Sequence, residues 1–398
     1  MKTPSPSASR HNELLVTRLI GLLRPALWLC AVLALACSLA ACKKKAAGDD
    51  AANTPPPEPP PKEEPPVELK ANWQVGKKFV MRYEMMQELD IQNPNLPTPD
   101  KIESLQSHDM AIAVVKDREG GGRELEVEFL AFKVEGRRSG RTTQFFDSKS
   151  DPKSDVTNRA NAHFRKLVGA KLKYLTDPAG KVDRVEGAAE LLPKLLAGTP
   201  SATQVALRAM FGEEGLKKML PGATGLPDKP VKKDETWPLT QPLTIPPFSA
   251  MSLEVTNTFK GMEDHAGRKC AAIDRVGGIV MPTRTAPAGA AAPMLEDASV
   301  KGSTWFDPAL GTIVQDSVEV GFTFKSAVVT TSAKNKVGTK LLQVSDLAGG
   351  AVETLQGMDT KTALPPAAPV AAPVGVTPPP TTPRPATTAK GAVGFDKK

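Results

Sequence analysis

The sequence predicts an α+β fold rich in β-structure: a large antiparallel sheet, curved or split into two related halves, with two or three helices packed on one side. Three observations lead there. From Trp73 to about Ser345, short stretches alternate apolar and polar residues with period two and are punctuated by Gly, Pro and Asp. Helix-period stretches cluster between about 155 and 220 instead of interleaving with strands, which argues against an alternating β/α plan. One turn also recurs: Tyr174-Leu-Thr-Asp-Pro-Ala-Gly180-Lys-Val182 is matched by Trp305-Phe-Asp-Pro-Ala-Leu-Gly311-Thr-Ile313. The recurrence has two readings, a duplication into halves 71–220 and 221–348 or a turn whose chemistry is simply common.

Taken in order, Phe79, Met81, Tyr83 and Met85 alternate with polar residues, as a strand with one buried face does. Met110 to Val115 is a second strand. A third follows with Leu125, Val127 and Phe129 set against Glu124, Glu126 and Glu128; Gly120-Gly121-Gly122 between these two reads as a hairpin tip. A strand near 143–146 comes next. Then a helix is expected, capped by Asp155, repeating through Val156, Ala160, Phe164 and Val168, and ended by Gly169. The Asp-Pro-Ala-Gly turn joins two strands between 172 and 185. Helices are expected near 187–197 and 201–220, the second capped by Ser201 and stopped by Pro221-Gly222. Beyond Trp237, strands are expected at 251–260, 269–276, 278–281, 300–306, 312–320, 322–331 and 340–344, with a loop at about 283–296.

The two ends read differently. Arg10, Arg18 and Arg24 precede an apolar run that closes on Leu39-Ala40-Ala41-Cys42. A charged leader, a short apolar core and small residues before a cleavage point make a secretory signal over 1–41. The run from Ala26 is short for an uncleaved span, which needs roughly 20 apolar residues. Leu-Ala-Ala-Cys resembles the lipobox of bacterial lipoproteins. That resemblance implies a diacylglyceryl group on Cys42, cleavage before it, and acylation (palmitate-like) of the new amino terminus. Residues 42–70 then form a Pro-rich tether that favours polyproline II, and 349–398 a Pro/Ala/Thr-rich tail. Both segments are expected to be disordered and dispensable for folding, which leaves a globular domain at 71–348.

Composition narrows the function. The chain has 398 residues and 40% apolar content, enough for a sizeable core. Of its net charge of +7, the leader holds +3, and Lys43-Lys44-Lys45 account for most of the rest. Basic residues beside a lipid anchor meet anionic headgroups; no basic segment interleaved with aromatics points to nucleic acid. Past the leader and Cys42 only Cys270 remains, in a strand-like apolar context that predicts a buried, inert thiol rather than a disulfide or nucleophile. His108, His163 and His265 are far apart and no metal-ligand spacing, nucleophile elbow or phosphate loop occurs. No catalytic residue, cofactor or metal is therefore expected, and the chain is read as a non-enzyme. Trp73, Trp237 and Trp305 each open a strand and are read as core anchors or, alternatively, as the rim of an apolar cavity. Met81, Met85, Met110 and Met251 suit either.

The Trp-x-x-Gly opening at Trp73 and Gly76, the Leu-Val-Gly-x-x-Leu of Leu167 to Leu172, the Asp-Pro-x-Gly-Lys-Val turn, Lys-Asp-Glu-Thr-Trp237 and Trp305-Phe-Asp-Pro resemble a family of bacterial envelope lipoproteins of unknown function. The resemblance covers roughly 72–345 and implies no activity. The expectation is a lipid-anchored envelope protein; Lys43 in place of Asp after the cysteine resembles outer-membrane sorting in Gram-negative lipoproteins, which implies the periplasmic face of the outer membrane in preference to the inner one. Its expected role is a non-catalytic binding or scaffold domain. The alternative is a carrier or sensor of an apolar ligand or lipid in a cavity between sheet and helices. Its partners would be the membrane through Cys42 and an envelope protein or apolar ligand.

Overall fold

The computed structural model describes residues 65–95, 98–153, 162–220, 225–243, 251–281, 294–326 and 329–358. The signal segment, Cys42, the expected tether up to residue 64 and the tail from 359 lie outside the described residues.

Thirteen strands form one antiparallel sheet. In chain order they are β1 (Lys77–Gln92), β2 (Asp100–Asp117), β3 (Arg123–Arg138), β4 (Arg141–Asp147), β5 (Lys171–Thr176), β6 (Val182–Glu186), β7 (Thr236–Leu243), β8 (Met251–His265), β9 (Arg268–Val280), β10 (Met294–Asp307), β11 (Thr312–Lys325), β12 (Thr330–Asp346) and β13 (Glu353–Thr354). Their order is β6-β5-β3-β2-β1-β12-β11-β10-β9-β8-β7, with β4 on β3 and β13 on β12. The chain therefore starts mid-sheet and meanders outward to β6. It continues through the helices, resumes at the far edge with β7, and meanders back until β12 pairs with β1 along sixteen residues of β1. The sequence segments 71–220 and 221–348 are the two flanks of this sheet.

Three α-helices lie between β6 and β7: α1 (Ala188–Leu196), α2 (Ser201–Phe211) and α3 (Glu213–Lys217). A 3-10 turn at Ala162–Leu167 precedes β5. The helices bury Leu191, Leu195, Leu207, Phe211 and Leu216 in a cluster with Phe79, Met81, Met110, Ile112, Val127, Phe129 and Leu341. Phe211 meets Phe129 edge-on at 6.3 Å, and the Tyr174 hydroxyl donates to the Leu216 carbonyl at 3.1 Å. Each such Leu or Phe contributes roughly 1.5–3 kcal/mol by leaving water.

Several sequence expectations need correction. The helix read over 201–220 is broken at Gly212, whose backbone turns extended (φ −69°, ψ 162°) and starts α3. Ser201 is the first helical residue of α2, not its cap; Pro200 occupies the cap position, and no side chain bonds there. The described part of the helix expected over 155–168 is the 3-10 turn; 154–161 lie outside the described residues. Gly277-Gly278 do not separate two strands but lie inside β9, where a Cβ on Gly277 would sit 2.0 Å from the Glu254 carbonyl of β8. The strand expected at 322–331 is interrupted: β11 ends at Lys325, Ser326 and Val329 bond across a turn, and β12 begins at Thr330. The β-branched run Val328-Val329-Thr330 hides that turn from any composition rule.

The core also reaches past both expected limits. Val67 pairs with Val231, and Leu69 is buried against Phe259 and Phe306. After β13, Leu355 donates to Leu342 at 3.0 Å, and Leu355 and Met358 join the main cluster. A few apolar residues among prolines and glycines carry no periodicity, so the sequence limits of 71 and 348 fall short.

Candidate functional site

Strand alternation places Phe79, Met81, Tyr83, Met85, Gln87 and Leu89 of β1 on one face, the face that meets the helices. Register then lays out cross-strand rows. Tyr83 stands between His108 of β2 and Thr339 of β12; Thr339 faces Asp316 of β11, and Asp316 faces Thr304 of β10. The next row runs from Gln106 through Met85, Val337, Val318 and Gly302 to Arg275 and Asn257. In the row after that, Gln87 faces Asn335.

These rows form a polar belt across the sheet. Above it lies the helix-covered cluster; below it lies a second apolar cluster containing Leu89, Leu253, Ile279, Val320 and Phe322. At the centre of the belt, Asp316 Oδ1 accepts from Arg275 Nη1 at 2.9 Å and from the Thr304 hydroxyl at 2.5 Å. Arg275 Nε donates to Asn257 Oδ1 at 3.1 Å. The guanidinium reaches from β9 to β11, past Gly302 on the intervening strand β10. A buried charge is tolerable only when paired in this way.

Five polar atoms of the belt have no such partner. They are Gln106 Oε1, both ring nitrogens of His108, Asn257 Nδ2 and Asn335 Nδ2. Their residues are 0–3% exposed. Folded proteins pair the great majority of buried polar atoms with protein or with ordered water, so a group of orphans on one sheet face is a place where water or a ligand polar group completes the bonding. Between them, Tyr83, Thr339, Asp316, Val318 and Val337 are partly exposed, so the floor of the belt is open where its walls are closed. Burial pushes the His108 imidazole down to about 4, against the opposing pull of Asp109, so it is neutral at pH 7. Burial first and the Asp316 charge second raise the Tyr83 hydroxyl, which stays protonated. His108 is held by stacking between Tyr83 at 5.0 Å and Phe132 at 5.5 Å.

The residues singled out in the sequence lie elsewhere. Trp73 is buried edge-on to Phe79 in the main cluster. Trp237 belongs to the cluster of Leu69 and Phe306, with its indole nitrogen on the Gly225 carbonyl at 2.9 Å. Trp305 is only partly buried, stacks on His265 at 4.2 Å and donates to Glu263. Trp305 packs against the cluster that contains Trp73, and Trp237 belongs to a different one. Cys42 lies outside the described residues. Cys270 is fully buried, and burial pushes its thiol up to about 12. Among the described residues no group of three His, Cys, Asp or Glu is placed to hold a metal, and no helix is long and apolar enough to cross a membrane. An open groove of about 430 Å³ runs on the helices between Ala189, Leu192, Pro193, Leu196, Ala197 and Arg208.

Of the belt, sequence reasoning picked out only Tyr83, Met85 and His108: Tyr83 as a strand residue, Met85 as suited to a core or an apolar cavity, and His108 as no ligand. The available signal was polar side chains in the core phase of an alternating strand: Gln87 after Met85, Gln106 and His108 before Met110, Asn335 between Ala333 and Val337.

A model of a family of unknown function (DUF6263) matches residues 121–304, which carries Asn257, Arg275 and Thr304 of the belt. No curated protein matches the chain. Among solved structures, lipovitellin in a study of lipid–protein interactions is 9% identical, with a TM-score of 0.38, over 72% of this chain and 27% of its own. An exported protein with a YmcC-like fold from Bacteroides fragilis is 9% identical, with a TM-score of 0.20, over 70% of this chain and 100% of its own. DynF of the dynemicin biosynthesis pathway of Micromonospora chersina is 7% identical, with a TM-score of 0.17, over 69% and 84%. The chain thus spans about a quarter of the lipovitellin chain. Scores this low bear on neither fold nor function.

Proposed function

We propose that the chain is a non-catalytic binding domain of the cell envelope, anchored by lipid at Cys42, that holds a small ligand against the face of its sheet. The observation that carries this reading is the belt: buried, unpartnered polar atoms from β2, β8 and β12 surrounding a partly open floor. A carrier with its ligand between helices and sheet is the alternative reading; Phe129, Phe211, Leu207 and Leu216 pack into one apolar cluster there. Arg275, buried, and Asp316, partly exposed, are mutually engaged as an ion pair of the belt. That arrangement suits holding a ligand more than transferring a proton to it.

Native mass spectrometry of the full chain, released from the membrane fraction of its own host in mild detergent, tests the binding reading. The expected result is a bound small molecule that is absent from a Thr339→Trp variant, whose ring would fill the floor. A chain that flies without any adduct, and with the same mass behaviour in both forms, would falsify it. Anchoring is tested separately with a palmitate analogue: label should disappear in Cys42→Ala, and label retained there refutes acylation at that residue.

A further inference from the structure

We infer that the ligand of the belt is a neutral, multiply hydroxylated molecule of the sugar or polyol class. This rests on the binding reading above and adds the chemistry of the occupant.

The argument is one of matching. The free groups are donors and acceptors in near-equal measure. Asn257 Nδ2 and Asn335 Nδ2 donate, Gln106 Oε1 accepts, and a neutral His108 offers one of each. The Tyr83 and Thr339 hydroxyls, which make no hydrogen bond to another described residue, can do either. Asp316 uses one carboxylate oxygen for Arg275 and Thr304 and leaves the other free. An anion would call for an unpaired cation, but Arg275 is spent on Asp316. A metal ion or an ammonium group would call for unpaired carboxylates, and Asp316 is already neutralised. A purely apolar ligand would seal the orphaned atoms in a dry environment, at a cost of about 1–3 kcal/mol for each. Hydroxyl groups answer every term, since each donates one bond and accepts others. The apolar floor between the polar walls is Val318 and Val337, both partly exposed, a surface for the C–H face of a ring or chain. Polar walls with a small apolar floor are how neutral polar ligands are oriented in a pocket.

The test is calorimetric titration of the full chain, in a detergent without a sugar headgroup, with N-acetylglucosamine, glucose and trehalose, and in parallel with inorganic phosphate and dodecanoate. At least one sugar should give saturable heat and raise the melting temperature, with phosphate and dodecanoate silent. Asn335→Leu removes an orphaned donor, and Thr339→Val removes a hydroxyl on the open floor. Each should weaken sugar binding by about tenfold or more while the protein melts close to the parent. Two variants are used so that a folding defect in one does not decide the matter. Sugar binding that survives both substitutions unchanged places the ligand elsewhere and overturns the inference. Silence from all three sugars, with phosphate or dodecanoate binding in a manner lost in Asn335→Leu, overturns the chemical class and leaves a binding domain. Silence from all five probes, together with the absence of any native adduct, overturns both.

Discussion

His108 shows how a single buried side chain ties stability to pH. Its imidazole titrates at about 4 in the fold and near 6.5 in the unfolded chain. Between these values the unfolded chain binds a proton and the folded chain does not. The stability His108 contributes is therefore fully present above pH 6.5 and is lost as pH falls toward 4, by up to roughly 3 kcal/mol. In His108→Phe that share of the acid sensitivity should vanish, while the background from carboxylates remains. Urea denaturation of both proteins at pH 7.5 and pH 4.5 reads the difference, and identical pH slopes would contradict the assignment. Arg275 and Asp316 make a second residue-scale prediction. Arg275 is 6% exposed and Asp316 17%, so removing either partner strands a charge and should cost about 3 kcal/mol or more. Arg275→Met with Asp316→Leu should cost clearly less than the sum of the single changes. Additive losses in the double-mutant cycle would show that the pair is not coupled.

Among the elements, the β2–β3 hairpin does more than reverse the chain. Gly122 has φ +86°, and a Cβ there would stand 2.1 Å from the Thr176 carbonyl at the end of β5. Arg118 reaches that same carbonyl at 2.6 Å, and the Arg123 amide donates to the Thr176 hydroxyl at 2.9 Å. The glycine tip is thus pressed onto the β5–β6 hairpin and holds two turns together. Gly122→Ala should cost at least about 2 kcal/mol from backbone strain and contact combined. Gly120→Ala meets nothing within 4 Å and should cost only the strain of its own positive φ. Equal destabilisation of the two variants in thermal melts would count against the docking. The two Asp-Pro-Ala turns are also built alike. Asp177 Oδ1 accepts from the amides of Ala179 and Lys181, Asp307 Oδ1 from those of Ala309 and Leu310, and Gly180 and Gly311 each donate to the carbonyl of the Asp. This shared chemistry is local to the turn.

For the molecule as a whole, the sheet's edges and ends decide what it exposes. Edge strand β7 carries Pro238 and Pro242, which cannot donate to an added strand, and β6 is five residues long with Asp183, Arg184 and Glu186 on it. Both are common guards against edge-to-edge pairing, so strand addition at these two ends of the sheet is disfavoured. The folded unit includes Leu69, Leu355 and Met358. A chain limited to 71–348 should consequently melt roughly 5–10 °C below one spanning 65–358, since several kcal/mol of apolar burial is lost. Matching melting curves for the two lengths would return the domain limits to 71 and 348.

The sequence by itself determined the β-rich class, the grouping of the helices between two runs of strands, the glycine and Asp-Pro turns and the buried thiol. All of these follow from period-two alternation and turn chemistry, which act over a few residues. Only the tertiary structure decided the rest. That β12 returns to pair β1 depends on partners more than 230 residues apart, and no local pattern encodes a partner. Gly212 breaks a helix, and Gly277 does not break a strand, because of what each backbone meets in space. The belt is the sharpest case. Tyr83, His108, Asn257, Arg275, Asp316 and Asn335 come from six different strands, each only a polar residue out of place in its own alternation. Register across the sheet, which is set by long-range packing, turns those separate exceptions into one site.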